Sequence, residues 1–281
     1  EAPLARNAPV LHGLLAVWYS TWFGAGSTAV VPYAADLDRL PAYLQQLVME
    51  SNGKRVTEGG GSVTYPTAPA VWGEPGTDAQ HSFFQMLHQG TRLVPVDLVG
   101  VLRAPHEVAG HHDLLLANFV AQARALAFGR TADEVRAAGV PEELVAHQVV
   151  PGGRPCTVIL GEELDARFLG ALIAFYEHSV FTQAAVWGID PFDQWGVELG
   201  KRIAEQVLGT IAAQRHFLAE MEARLAAFDG YHAGERWKLE SERAAAAGEL
   251  GAMILGSLAP KDLAAAEAAT GIVGLVAEDI P

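Results

Sequence analysis

The stretch STAVVPYAADLDRLPAYLQQLVMESNGK (27–54) decides the fold. Its first seven residues, STAVVPY (27–33), are rich in apolar and β-branched side chains, which is typical of a buried strand. A helical pattern follows at about 37–50, and Ser-Asn-Gly then ends it, because Asn and Gly tolerate the left-handed conformation of a helix C-terminus. A buried strand followed directly by a helix indicates a parallel sheet with helical crossovers.

The same alternation of strand and helix continues along the chain. Further strands are predicted at 68–73, 91–100 and 156–161, with helices from about 80, at 111–129 and at 165–187. Because every connection contains a helix, we expect a three-layer α/β sandwich around a parallel sheet. From about 194 the strand signals stop and helical periodicity continues, which predicts an α-helical C-terminal extension. We assign residues 1–209 to the α/β domain and 210–281 to a helical tail.

Composition and charge exclude several classes of function. The formal net charge is −14, which argues against nucleic acid or an anionic membrane surface as a partner. No apolar run approaches the length of a membrane-spanning helix, and we find no signal segment. Cys156 is the single cysteine, so neither an intramolecular disulfide nor a cysteine-rich metal site can form. These features predict a cytoplasmic protein.

Gln46 and Glu50 are four residues apart, so on a helix they share one face. Glu50 lies at the predicted helix C-terminus, where the helix dipole makes a carboxylate less stable as an anion. That position suits a base that accepts a proton. A solvated glutamate at a helix end is the alternative interpretation.

Two other segments carry polar residues that could do chemistry. In GEPGTDAQHSFFQMLHQG (73–90) the helix is expected to start near Gln80, which would place His81 in the first turn, next to a strand end. In WGIDPFDQWGVELGK (187–201), Gln194 and Lys201 are two helical turns apart and should point the same way. Taken alone, a histidine at position 81 is more often a packed core residue than a catalyst, and Lys201 is better interpreted as an exposed lysine on an amphipathic helix.

Three motifs together resemble the C-terminal half of the glucose-6-phosphate isomerase family. They are MESNGK (49–54), VWGEPGTDAQH (71–81) and WGIDPFDQWGVELGK (187–201). Their order and separations match the family over roughly residues 5–209. The segments NAPVLHGLLAVWY (7–19), HHDLLLANFVAQ (111–122) and LGALIAFYEH (169–178) add to the likeness.

The resemblance implies an aldose–ketose isomerase that interconverts glucose 6-phosphate and fructose 6-phosphate through a cis-enediol, with no metal or organic cofactor. By the same resemblance Glu50 is the base that moves the proton, and His81 and Lys201 assist opening of the sugar ring. Gln46 and Gln194 match glutamines that contact the substrate. In the family the histidine comes from the neighbouring subunit, which implies a homodimer with shared active sites.

The chain departs from the family in one important respect. The Ser/Thr-rich loop that binds the substrate phosphate and an arginine that stabilises the enediol belong to the N-terminal part of the family's sequence, and neither appears here. We therefore expect either the C-terminal portion of a longer enzyme or a chain completed by a separate N-terminal half. A protein that does not catalyse is the third alternative.

Three other functions compete with catalysis by acid and base. The chain could be a sugar-phosphate-binding module without activity, or a structural protein dominated by its helical tail. A metal site built from His106, Glu107, His111 and His112 is disfavoured, because adjacent histidines on a helix point about 100° apart and cannot readily share one ion.

Overall fold

A computed structural model describes residues 3–104, 110–226, 238–246 and 248. Its centre is a four-stranded sheet with the strand order β2-β1-β3-β4, in which every neighbouring pair is parallel. The strands are β1 (Ser27–Pro32), β2 (Ala70–Trp72), β3 (Val96–Arg103) and β4 (Cys156–Glu163). The predicted α/β class with a parallel sheet is therefore confirmed.

Helices fill every connection between the strands, as the sequence predicted. The α-helices are α1 (Ala8–Val17), α2 (Leu40–Leu44), α3 (Gly76–Ser82), α4 (Phe84–Gln89), α5 (His111–Phe128), α6 (Ala132–Ala137), α7 (Glu142–Gln148), α8 (Ala166–Trp187) and α9 (Trp195–Ala226). Single turns of 3₁₀-helix cover Leu4–Arg6 and Ala35–Leu37, and wider π-helical turns extend α1 and α2 over Trp18–Trp22 and Gln45–Glu50.

Each face of the sheet has its own hydrophobic core, which gives the three layers. On one face, alternate strand residues such as Val31 and Leu98 pack against α3, α4 and α5, with Phe119 at the centre. On the other face, Val30 and Val99 pack against α2, its π-helical extension and α8. Residues 29–31 alternate between the two cores because successive strand side chains point to opposite faces.

The chain divides into two compact units, residues 1–194 and 195–281. The second unit contains α9 and a helical segment at 238–246. The predicted domain boundary at 209 falls inside α9, and the assignment of a separate tail from 210 stays a prediction. Of the predicted tail, the structure describes residues 210–226, 238–246 and 248. Within the part of the chain that the structure describes, none of the helices combines the length and apolarity needed to cross a membrane.

Candidate active site

The helix that carries Gln46 and Glu50 turns its apolar side to the sheet. Leu44 and Val48 are buried in the core, whereas Gln46 is exposed and Glu50 is half-buried. The two polar side chains therefore lie on the outer side of the helix. The turn Gln45–Glu50 is π-helical, a wider form that is rare and is often found at functional sites.

The helix end differs from its prediction in one detail. The helical backbone continues through Ser51 and Asn52, and Gly53 closes it without adopting a positive φ. The Gly53 N–H donates to the Met49 carbonyl at 3.0 Å, and a Cβ on Gly53 would lie 2.3 Å from that oxygen. Glycine is needed here for close approach rather than for a left-handed conformation, so the predicted reason was wrong although the helix does end at Gly53.

Lys54 is the residue that fixes the end of this helix, and sequence reasoning missed it. Its Nζ donates to the carbonyl oxygens of Glu50 at 2.8 Å, Ser51 at 2.7 Å and Asp193 at 2.8 Å. It also lies 3.0 Å from Oδ1 of Asp193. A cation at a helix C-terminus satisfies free carbonyls and the helix dipole together, so a lysine just after the helix end was the available signal.

The Lys54 contacts bring two of the predicted site segments together. One is the helix end at Glu50, and the other is Asp193, the residue before Gln194. Gln194 itself is exposed and immediately precedes α9, the helix that carries Lys201, and the expectation that the two side chains point the same way stays a prediction. Lys201 lies on α9 in the second unit, exposed, with its Nζ 3.0 Å from Oε1 of Glu198.

His81 lies on the other side of the sheet from Glu50. The helix that carries it, α3, packs through Ala79 on the same face as α5, whereas Val48 belongs to the opposite core. The structure therefore does not bring Glu50 and His81 of one chain together. His81 is exposed and occupies the last turn of α3, because the helix begins at Gly76, directly after Pro75. The expectation of a first-turn position was wrong.

A cavity of about 90 Å³ lies at the amino ends of the strands. It is lined by polar residues that the sequence did not single out, among them His12, Asp97, Ser179 and Gln183, and by none of the five predicted site residues. Burial lowers the pKa of the His12 imidazole, but the negative charge and hydrogen bond of Asp97 outweigh burial, and the net effect raises it above 6.5.

The metal alternative finds little support in the described residues. His106 and Glu107 lie outside them. Nε2 of His112 is 3.1 Å from the Val101 carbonyl oxygen and 3.0 Å from that of Leu102, so this nitrogen donates a hydrogen bond and is not free as a ligand. The described residues contain no group of three or more His, Cys, Asp or Glu side chains able to hold an ion.

Comparison with known proteins agrees with the motifs. The family model described as phosphoglucose isomerase matches residues 1–224. The chain is 57% identical over 207 residues to a glucose-6-phosphate isomerase of Nitrosospira multiformis and 56% identical over 207 residues to one of Syntrophus aciditrophicus. Each alignment covers 74% of this chain but 38% of the relative, so the chain spans less than half the length of these relatives.

A solved structure shows the same relationship in three dimensions. The crystal structure of a glucose-6-phosphate isomerase from Chlamydia trachomatis is similar to the chain with a TM-score of 0.67 and 40% sequence identity. The likeness covers 74% of this chain and 40% of that one.

Proposed function

The chain belongs to the phosphoglucose isomerase family, and we propose that it is the catalytic C-terminal part of an aldose–ketose isomerase acting on glucose 6-phosphate and fructose 6-phosphate. The observation that carries this proposal is the MESNGK segment. The Glu50 side chain lies on the outer side of a helix end, and the Lys54 ammonium holds that end by donating to the carbonyl oxygens of Glu50 and Ser51. A general base has to be both accessible and held in place.

The proposed reaction moves one proton between two carbons. In the open-chain aldose, Glu50 takes the proton from C2, and the electron pair of the C–H bond forms the C1–C2 double bond while the π electrons of the C1 carbonyl move to O1, which takes up a proton to give the enediol. Glu50 then returns its proton to C1. The hydroxyl on C2 loses its proton in the same step, so C2 becomes the carbonyl carbon of the ketose and the proton gained at O1 is balanced by the one lost at O2. Lys201 and His81 assist the preceding ring opening by proton transfer, and Gln46 and Gln194 hold sugar hydroxyls.

The position of His81 supports a site shared between two chains. Within one chain α3 and the helix of Glu50 pack on opposite faces of the sheet, which favours a site in which His81 lies next to another copy's Glu50. We therefore include a homodimer in the proposal, as the family resemblance implied.

An exposed apolar stripe supports the participation of further polypeptide. Leu11, Leu15, Trp18 and Trp22 follow one another at helical spacing along α1 and its extension, and between 38% and 68% of each is exposed. Exposed large apolar side chains that adjoin one another often mark an interface. We propose that the N-terminal part of the enzyme covers it and supplies the phosphate-binding loop and the arginine. The proposed location is the cytoplasm.

The test is an isomerase assay of the chain alone and of the chain mixed with the N-terminal part of the Nitrosospira multiformis relative. We expect turnover on mixing, and a loss in kcat of about 10²–10⁴-fold for Glu50→Gln with the fold retained. Turnover close to that of the unmodified chain in Glu50→Gln would remove Glu50 as the base. Binding of sugar phosphate without turnover in any mixture would favour the alternative, a non-catalytic binding module.

A further inference from the structure

A series of buried, hydrogen-bonded polar groups starts at Asp97 on β3. Asp97 is only 3% exposed, and its Oδ2 accepts hydrogen bonds from the Tyr176 hydroxyl at 3.1 Å and from Nε2 of His12 at 3.1 Å. The carboxylate thus has two donors in the middle of the protein. A buried carboxylate with satisfied hydrogen bonds is a fixed anchor for the groups bonded to it.

The series of hydrogen-bonded groups continues from His12 to Asn52, two positions after Glu50. Nδ1 of His12 lies 2.7 Å from Oγ of Ser179, and Nε2 of Gln183 donates to that same oxygen at 3.2 Å. Nδ2 of Asn52 donates to Oε1 of Gln183 at 3.4 Å and to the Val180 carbonyl at 3.2 Å. Three hydrogen bonds therefore connect His12 to Asn52.

Packing fixes the spacing of these groups. A Cβ on Gly13 would lie 2.7 Å from the Ser179 carbonyl oxygen, so glycine allows α1 to approach α8 closely next to His12. The His12 ring also contacts the ring of Phe175 at a centroid distance of 5.0 Å and that of Tyr176 at 5.7 Å. The imidazole consequently has little freedom to leave Ser179.

We propose that Asp97, His12, Ser179, Gln183 and Asn52 form a positioning relay for the Glu50 carboxylate. Asn52 is fully buried, so loss of its partner Gln183 would leave one of its two amide N–H groups without a hydrogen bond, at a cost in stability. The helix end carrying Glu50 is thereby held from the α8 side by Asn52 and from the Asp193 side by Lys54. This inference rests on the proposed function, because it assigns the relay to that same site.

The groups Ser179, His12 and Asp97 also occur in the order of a hydrolase triad, but they lack what hydrolysis needs. Ser179 is 1% exposed and lies inside α8 (Ala166–Trp187). Backbone N–H groups inside a helix already donate to carbonyls four residues earlier, so they cannot stabilise an oxyanion. Positioning is the role that this geometry supports.

The first test changes His12, which is remote in sequence from Glu50. In the mixture used for the isomerase assay, His12→Leu is expected to lower kcat about tenfold with KM changed less than about twofold, because the base is misplaced while the substrate is still bound. His12→Gln should recover most of the loss, since the amide O–C–N group reproduces the N–C–N edge of the imidazole towards Ser179 and Asp97. Leu14→Ala, at a half-buried position on the same helix without a hydrogen bond to these groups, is the control and should leave kcat unchanged.

A double-mutant cycle separates a relay from independent contacts. The variant carrying both His12→Leu and Asn52→Leu should show about the same decrease in kcat as the slower of the two single variants. Either change alone already interrupts the same series of hydrogen bonds. Losses that multiply, or a Leu14→Ala variant as slow as His12→Leu, would overturn the relay.

Hydrogen exchange provides a readout that does not need activity. In the chain alone, His12→Leu should speed amide exchange in residues 50–53 about tenfold relative to α5, and His12→Gln should not. Unchanged exchange in residues 50–53 would overturn the relay even in an active enzyme. Faster exchange in a preparation with no isomerase activity would keep the relay as a structural link and would refute the proposed function instead.

Discussion

Replacing Lys54 by methionine tests how the end of the Glu50 helix is held. The ammonium donates to three backbone carbonyls and lies 3.0 Å from the Asp193 carboxylate, and its side chain is only 17% exposed. Hydrogen bonds from a charged donor contribute about 1.5–3 kcal/mol each, but their losses are not additive and water can reach part of this site. We therefore expect Lys54→Met to lower the free energy of unfolding by about 2–4 kcal/mol.

The chain offers a matched control in Lys201. This lysine is 60% exposed and pairs with Glu198 three residues earlier on the same helix, so Lys201→Met should change the free energy of unfolding by less than about 0.5 kcal/mol. Lys54→Arg should recover only part of the loss, because a planar guanidinium does not match three carbonyls that converge on one ammonium.

The measurement is equilibrium unfolding in urea, followed by tryptophan fluorescence, for the unmodified chain and the three variants. An equal, small loss for Lys54→Met and Lys201→Met would refute the reasoning, since it would mean that the Lys54 contacts contribute no more than an exposed ion pair.

Three further predictions concern other parts of the chain. Asp97 raises the pKa of His12 above 6.5, so the stabilisation that the His12 charge provides is complete below pH 6.5 and is lost as the pH rises through the raised pKa. The difference in unfolding free energy between the unmodified chain and His12→Gln should therefore shrink from pH 6 to pH 9, and a constant difference would contradict this. Burial, and after it the charge of Asp97, raises the pKa of the Cys156 thiol. Iodoacetamide at pH 8 should therefore react with this thiol about tenfold more slowly in the folded chain than in urea. Equal reaction rates would contradict this prediction. Combining Trp18→Ser with Trp22→Ser should weaken binding of the N-terminal part at least about tenfold by calorimetry, and unchanged affinity would show that it docks elsewhere.

The sequence predicted the positions of the four strands to within a few residues, because these segments are rich in apolar and β-branched residues. Strand β1 was expected at 27–33 and spans Ser27–Pro32, and β4 begins at Cys156 as expected. Strand β3 was expected from 91 but begins at Val96. Pro95 directly precedes the observed start, and a proline has no N–H to donate to a neighbouring strand.

The arrangement around Glu50 could be predicted only in part. The four-residue spacing of Gln46 and Glu50 placed both on the outer side of one helix, because periodicity is a local property. The relay could not be found this way, since His12 and Asp97 are separated by 85 residues and no local pattern links them. Contacts of that range depend on how α1 packs against α8, which the local sequence pattern does not encode.

The separation of Glu50 and His81 is the structural fact that bears most on catalysis. Each residue lies on a helix packed against a different face of the same sheet, and moving either across would require exchanging the two hydrophobic cores. No hinge or side-chain rotation can do that while the fold persists. If both residues serve one reaction, we expect the site to combine the Glu50 of one chain with the His81 of another, and the activity to fall on dilution as the chains separate.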